Sequence, residues 1–320
     1  MSNTAINLLI IFAILSHAYL VPIKAFSSEA QRSEATVRGS EDKTCKTYLR
    51  NPSPEVKLPI VVYFPGTGIY STSGEDMFIP PIEMVLKDKM AMILTIDKPG
   101  ITGDQESPDG YSFDESIYFR YTQRDLVTCG INAIKQITTE NSEQFSGNII
   151  LVGHSEGAQI SVRILSRLMK SNSILKKNIK ALLLSGSPMK DWKKILKDQL
   201  SVEELSDLLS AYEKKDDSTV RQMVESFGYI YLQDIFTTPP LIQTLRDLWD
   251  SKPDAIFSFY HGIKDENTLV QPVWDFEEAN IQRQREKKSF LKLQARYYQA
   301  DHYLNLSTMD DMSMFLKANL

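Results

Sequence analysis

The residues best suited to chemistry are Gly153-His154-Ser155-Glu156-Gly157. An apolar, β-type run at 148–152 precedes this pentapeptide, and a helical pattern starts at Ala158. That is the context of a nucleophile elbow, in which a serine sits on a strained strand-to-helix turn. The flanking glycines let strand and helix pass close beside it. A serine hydroxyl alone is a poor nucleophile, so Ser155 needs a general base and a carboxylate to orient that base.

The chain has four histidines from which to draw the base. His17 lies in an apolar N-terminal segment, His154 is inside the elbow, and His261 ends a predicted strand and reads as structural. His302, in Asp301-His302-Tyr303-Leu304, follows the last predicted strand and is selected by elimination. For the acid, Asp265 lies on the loop that follows His261-Gly262, and Asp191, shortly after an earlier strand, is the rival. Asp301, next to His302, points elsewhere if its loop is extended. An oxyanion hole needs two backbone N–H groups. One is the amide of Glu156, the residue after the nucleophile, and the other is assigned to Thr67 in Phe64-Pro65-Gly66-Thr67-Gly68. That loop lacks the third glycine of a dinucleotide loop, and no Gly-Lys-Ser/Thr follows it. A charged side chain at position 156 has two readings. It pairs with a nearby Arg or Lys and favours a cationic or polar substrate end, or it is simply exposed at a helix N-terminus, where the dipole suits an anion. No metal-ligand spacing stands out, and no cofactor is expected.

These groups need a scaffold that brings distant loops to one edge. Near-continuous apolar runs at 58–64, 90–96, 148–152, 179–184, 255–260 and 289–294 suit strands buried on both faces. Helical spacing is found from Ala158 through Val162 and Leu165 to Met169, and also at 118–138, 271–287 and 309–316. The alternation predicts an α/β fold, with a mostly parallel sheet flanked by helices. Between the fourth and fifth runs, 189–251 holds no strand and contains the capping box Ser201-Val-Glu-Glu204, so a helical cap insertion is expected there. The catalytic domain is then 58–188 plus 252–320, preceded at 26–57 by a polar linker with edge strands.

Composition sets outer limits. The 320 residues are 42% hydrophobic and 24% charged, an ordinary globular balance. The net charge of −5 argues against a nucleic-acid partner, leaving a small acyl compound as the expected one. Residues 1–25 read as a signal peptide, or alternatively as an uncleaved anchor, which would be the chain's one membrane contact. Export to the periplasm or the extracellular space follows, and such compartments permit Cys45 and Cys129 either to pair or to stay as thiols.

Taken together, the chain resembles the α/β-hydrolase superfamily, and within it bacterial serine esterases and aminopeptidase-like hydrolases whose elbow reads Gly-His-Ser-Glu-Gly. Pro65-Gly66-Thr67-Gly68 is similar to their oxyanion segment. Asp97-Lys98-Pro99-Gly100-Ile101-Thr102-Gly103 is similar to their Asp-Lys-Arg-Gly-x-Gly loop, with Pro99 in place of Arg and the second Gly shifted. The tail matches through Gly262-x-x-Asp265 and Asp301-His302-Tyr303-Leu304. The resemblance covers about 58–320 and implies a serine hydrolase of esters or related acyl bonds, the alternatives being an acyltransferase or peptidase on the same fold, or a non-catalytic binding protein. It transfers little about specificity, because 189–251 is family-variable.

Overall fold

The computed structural model describes residues 31–40, 43–74, 78–101, 113–171, 173–224 and 228–320. The expected export segment and the Thr102-Gly103 end of the Asp97 motif lie outside the described residues.

Eight strands form one sheet in the order β1-β2-β4-β3-β5-β6-β7-β8. They are β1 (Gln31–Arg38), β2 (Thr44–Asn51), β3 (Leu58–Phe64), β4 (Met92–Ile96), β5 (Phe145–His154), β6 (Ile179–Ser185), β7 (Ile256–Gly262) and β8 (Lys292–Tyr298). The β1–β2 and β2–β4 pairs are antiparallel, and every pair from β4 to β8 is parallel. The central strands earn that position by composition: all seven residues of β3 and all five of β4 are buried, as expected for a sheet covered on both faces.

Among the described residues eleven α-helices connect and flank the strands: α1 (Pro80–Lys87), α2 (Glu115–Tyr118), α3 (Gln123–Glu140), α4 (Glu156–Lys170), α5 (Trp192–Gln199), α6 (Val202–Glu213), α7 (Asp217–Met223), α8 (Tyr229–Thr237), α9 (Leu241–Ser251), α10 (Gln271–Arg285) and α11 (Leu306–Asn319). Five of them, α5 to α9, lie between β6 and β7. Among the described residues no helix is long and apolar enough to cross a membrane.

Three boundaries differ from the periodicity reading, each for a local reason. The single helix expected over 118–138 is broken, because Thr122 and Asp125 form a reciprocal capping box that starts α3 afresh. The last strand lies a few residues later than 289–294; its register pairs Ile256 with Lys292 and Gly262 with Tyr298. It is an edge strand of partly exposed residues, so its signal is weaker than that of the apolar Phe290-Leu291 before it. The polar stretch 26–57 contains two eight-residue strands.

Those two strands are anchored to the body of the fold. Lys43 Nζ lies 2.8 Å from Asp125 Oδ2, tying the β1–β2 turn to α3. Cys45 on β2 and Cys129 on α3 form a disulfide across a separation of 84 residues. Closing a loop of that length removes unfolded-chain entropy worth on the order of 4 kcal/mol.

The topology has one consequence for function. Because β3 to β8 run parallel, the segments following them all emerge at the same sheet edge, where such folds place their ligands. Gly66, Lys98, Ser155, Gly186, Asp265 and His302 belong to the six segments that emerge there.

Candidate active site

Ser155 joins β5 to α4 with φ 51° and ψ −117°. Positive φ is rare for a residue with a Cβ, and such strain collects at functional turns. Serine at a helix start usually turns its hydroxyl inward to cap the first amides. Ser155 makes no such side-chain cap bond. The close approach explains the glycines: a Cβ on Gly157 would collide with the carbonyl of Phe64, at the end of β3.

His302 and Asp265 come together from loops after β8 and β7. Nδ1 of His302 lies 2.8 Å from Oδ2 of Asp265, with the carboxylate fully buried and the ring nearly so. Asp265 is itself held by the amides of Asn267 at 2.9 Å and Thr268 at 2.8 Å, and by the Thr268 hydroxyl at 2.6 Å. Burial pushes the Asp265 carboxyl upward, but the bonds from His302 and Thr268 outweigh it and hold the group below the usual carboxylate range. The His302 ring lies 4.8 Å, centroid to centroid, from that of His154, the residue before Ser155. A methyl group on Gly186 would stand 3.0 Å from Nδ1 of His302 and 3.2 Å from Cε1 of His154, so the two rings enclose the end of β6. His302 is therefore packed against the elbow, with its Nδ1 taken by Asp265.

The other sequence candidates are placed as clearly. Asp191 caps α5, accepting from the Lys194 amide at 3.0 Å. His261 is fully buried, bonds the Thr268 carbonyl, and lies 3.5 Å from Oδ2 of Asp265, the same oxygen that faces Nδ1 of His302. Asp301 accepts from the Tyr303 amide. Thr67 sits in a loop that touches the elbow, since a methyl on Gly66 would lie 3.3 Å from Cβ of Ser155. Among the described residues no group of His, Cys, Asp and Glu is arranged to hold a metal ion.

Of the two readings of Glu156, pairing with a lysine is found and exposure at the helix N-terminus is not. Its carboxylate is neither exposed at the helix N-terminus nor presented to a substrate, being 1% exposed. It lies 3.1 Å from Nζ of Lys98 and accepts a hydrogen bond from Tyr231 on α8. Lys98 belongs to the Asp97-Lys98 motif, and it reaches Glu156 through sheet order, β4 lying beside β3 and β3 beside β5. Asp97 is similarly inward. It accepts from Tyr48 at 3.0 Å, Ser71 at 2.8 Å and the Thr72 hydroxyl at 2.8 Å, so it anchors the chain after β3. Lys98, Tyr231 and Thr268 are the neighbours of the site that sequence reasoning passed over.

His154 gives a pH prediction. Burial, and secondarily the nearby His302, push its imidazole down to about 3, and burial also lowers His261. A histidine depressed in the folded state binds more protons when unfolded, so stability falls as pH drops below the unfolded value near 6.5. Urea unfolding between pH 6.5 and 5 will show this loss. His154→Asn reduces the slope by up to one proton, about 1.4 kcal/mol per pH unit. An unchanged slope contradicts the assignment.

No protein-family model matches the chain, and no curated protein sequence does. Solved structures do. An esterase from Pyrococcus furiosus superposes with TM-score 0.60 at 13% identity, covering 92% of this chain and 91% of that one. A fungal esterase from Rhizomucor miehei gives 0.54 at 13%, covering 91% and 86%. Dipeptidyl peptidase 4 of Porphyromonas gingivalis gives 0.56 at 14%, covering 91% of this chain and 36% of the peptidase. At such identities the likeness is one of fold: the chain has the α/β-hydrolase fold.

Proposed function

We propose that this α/β-hydrolase-fold protein is a serine hydrolase that cleaves a carboxylic ester or a related acyl bond. The observation that carries the reading is the buried Asp265–His302 pair at 2.8 Å, packed against an elbow whose serine holds positive φ. In the first half-reaction the Ser155 Oγ bonds to the acyl carbon, its proton passes to Nε2 of His302, and the carbonyl π pair moves onto oxygen. The amides of Thr67 and Glu156 receive that oxyanion, each worth about 3 kcal/mol in the transition state. Collapse expels the alcohol, which takes the proton from His302, and leaves an acyl-serine. Water repeats the sequence, giving its proton to His302 and its oxygen to the acyl carbon, and Ser155 leaves with the proton. Asp265 keeps Nδ1–H of His302 aimed and stabilises the imidazolium in both halves.

Helices α5 to α9 form the cap over this edge, and their side chains shape the acyl pocket. Export is supported by the Cys45–Cys129 disulfide, a bond characteristic of oxidising compartments.

The test is a panel of p-nitrophenyl esters of increasing chain length, lactones and aminoacyl anilides, assayed with and without added alcohol or amine acceptors. Ester turnover releasing free acid is the expected result. Turnover confined to anilides would make the protein a peptidase, and acyl transfer to the acceptor would make it a transferase. Absence of turnover across the panel by folded protein would count against the proposal.

A further inference from the structure

One buried group near the elbow has no part in the steps above. Lys98 is 6% exposed at the end of β4, and its ammonium has three donors. It donates to the carbonyl of Gly66 at 3.0 Å and the carbonyl of Gly68 at 3.0 Å, and it forms an ion pair with the carboxylate of Glu156 at 3.1 Å. The same carbonyls are held a second time, Gly66 by the hydroxyl of Tyr70 and Gly68 by that of Tyr118 at 2.9 Å. Gly68 follows with φ 145°, a conformation open chiefly to glycine.

These contacts have a stereochemical consequence. In a planar trans peptide the C=O and the following N–H point in opposite directions, and none of the described peptide bonds is cis. Anchoring the Gly66 carbonyl on Lys98 therefore turns the Thr67 N–H away from Lys98. The third contact fixes the other donor, because Glu156 contributes the second amide from its own backbone. One ammonium thus ties together the two segments whose amides must converge on a single oxygen. A buried ion pair is weak evidence for stability, since apolar residues of like volume often hold a fold as well. Apolar residues could not grip two carbonyls, however.

We propose that Lys98 is a positioning residue that aims the Thr67 amide and holds it in register with the Glu156 amide, assembling the oxyanion hole. This rests on Ser155 being the nucleophile, and it assigns Lys98 no contact with substrate. Tyr231 of α8 shares Glu156, so the same node also fastens the cap to the elbow.

The experiment compares wild type with Lys98→Met/Glu156→Gln. Removing both charges leaves neither one buried alone, and the Glu156 backbone amide is retained. For a short-chain p-nitrophenyl ester, kcat is expected to fall by about 10- to 100-fold, because a misaimed donor loses much of an oxyanion contact. KM should change little. An alkyl trifluoromethyl ketone, whose carbonyl becomes an oxyanion when Ser155 adds to it, should lose affinity by the same factor as kcat/KM. A merely structural role would lower the unfolding midpoint without this matched loss. A folded double variant that keeps wild-type kcat and inhibitor affinity overturns the proposal. Should the variant not fold, the wild-type protein decides: its Thr67 amide proton must move downfield when the ketone adduct forms, and an unmoved resonance overturns the proposal. Failure of wild type itself to hydrolyse esters or form the adduct would instead sink the proposed function, and this inference with it.

Discussion

Ser155→Ala is expected to lower kcat for ester hydrolysis by about 10⁴- to 10⁶-fold while leaving the unfolding midpoint near that of wild type. The size follows from the chemistry. Without Oγ there is no acyl-enzyme, and what remains is whatever the oxyanion donors and substrate binding confer on direct attack by water. The small effect on the fold has its own reason. The Ser155 side chain caps no helix amide, so its loss leaves no buried donor unpaired. Alanine must still hold φ 51°, but serine already bears that strain. The check is steady-state kinetics alongside thermal unfolding. A variant retaining more than about one-hundredth of wild-type kcat would mean that Ser155 is not the nucleophile.

The second large effect separates the two acids. Asp265→Asn is expected to reduce kcat by about 10⁴-fold, because an amide offers Nδ1 of His302 no negative charge and can favour the wrong tautomer. Asp191→Asn should stay within about twofold, since asparagine caps a helix almost as well as aspartate and Asp191 does no more than cap α5 and pair with Lys194. Measured side by side, the two variants rank the acids directly. Collapse of kcat in Asp191→Asn alone would return the acid role to that residue.

How much of this is legible in the sequence depends on how local each signal is. The elbow is five consecutive residues between a strand and a helix, and the buried strands show as apolar runs, so both could be read directly. His302 is selected by elimination among four histidines, and the structure brings it to 2.8 Å from Asp265 beside the elbow. Asp191 stays a rival in the sequence because its role as the N-cap of α5 is seen only in the structure. Capping and catalysis ask for the same side chain, and only the 2.8 Å contact from Asp265 to His302 distinguishes the two sites. Glu156 leaves its partner unnamed for a different reason. Its partner Lys98 lies 58 positions earlier and reaches it only because β4 lies beside β3 and β3 beside β5. The Cys45–Cys129 bond is of the same kind, joining an edge strand to a helix 84 residues away. Contacts made by sheet order are not written in any local window.

Whether Ser155 is an activated nucleophile is tested most directly by fluorophosphonate labelling. Incubating the folded protein with the probe and mapping the modified peptide by mass spectrometry should give one adduct, on Ser155, that is abolished in Ser155→Ala and strongly slowed in His302→Ala. An unlabelled folded protein, or a probe attached to another residue, would contradict the account.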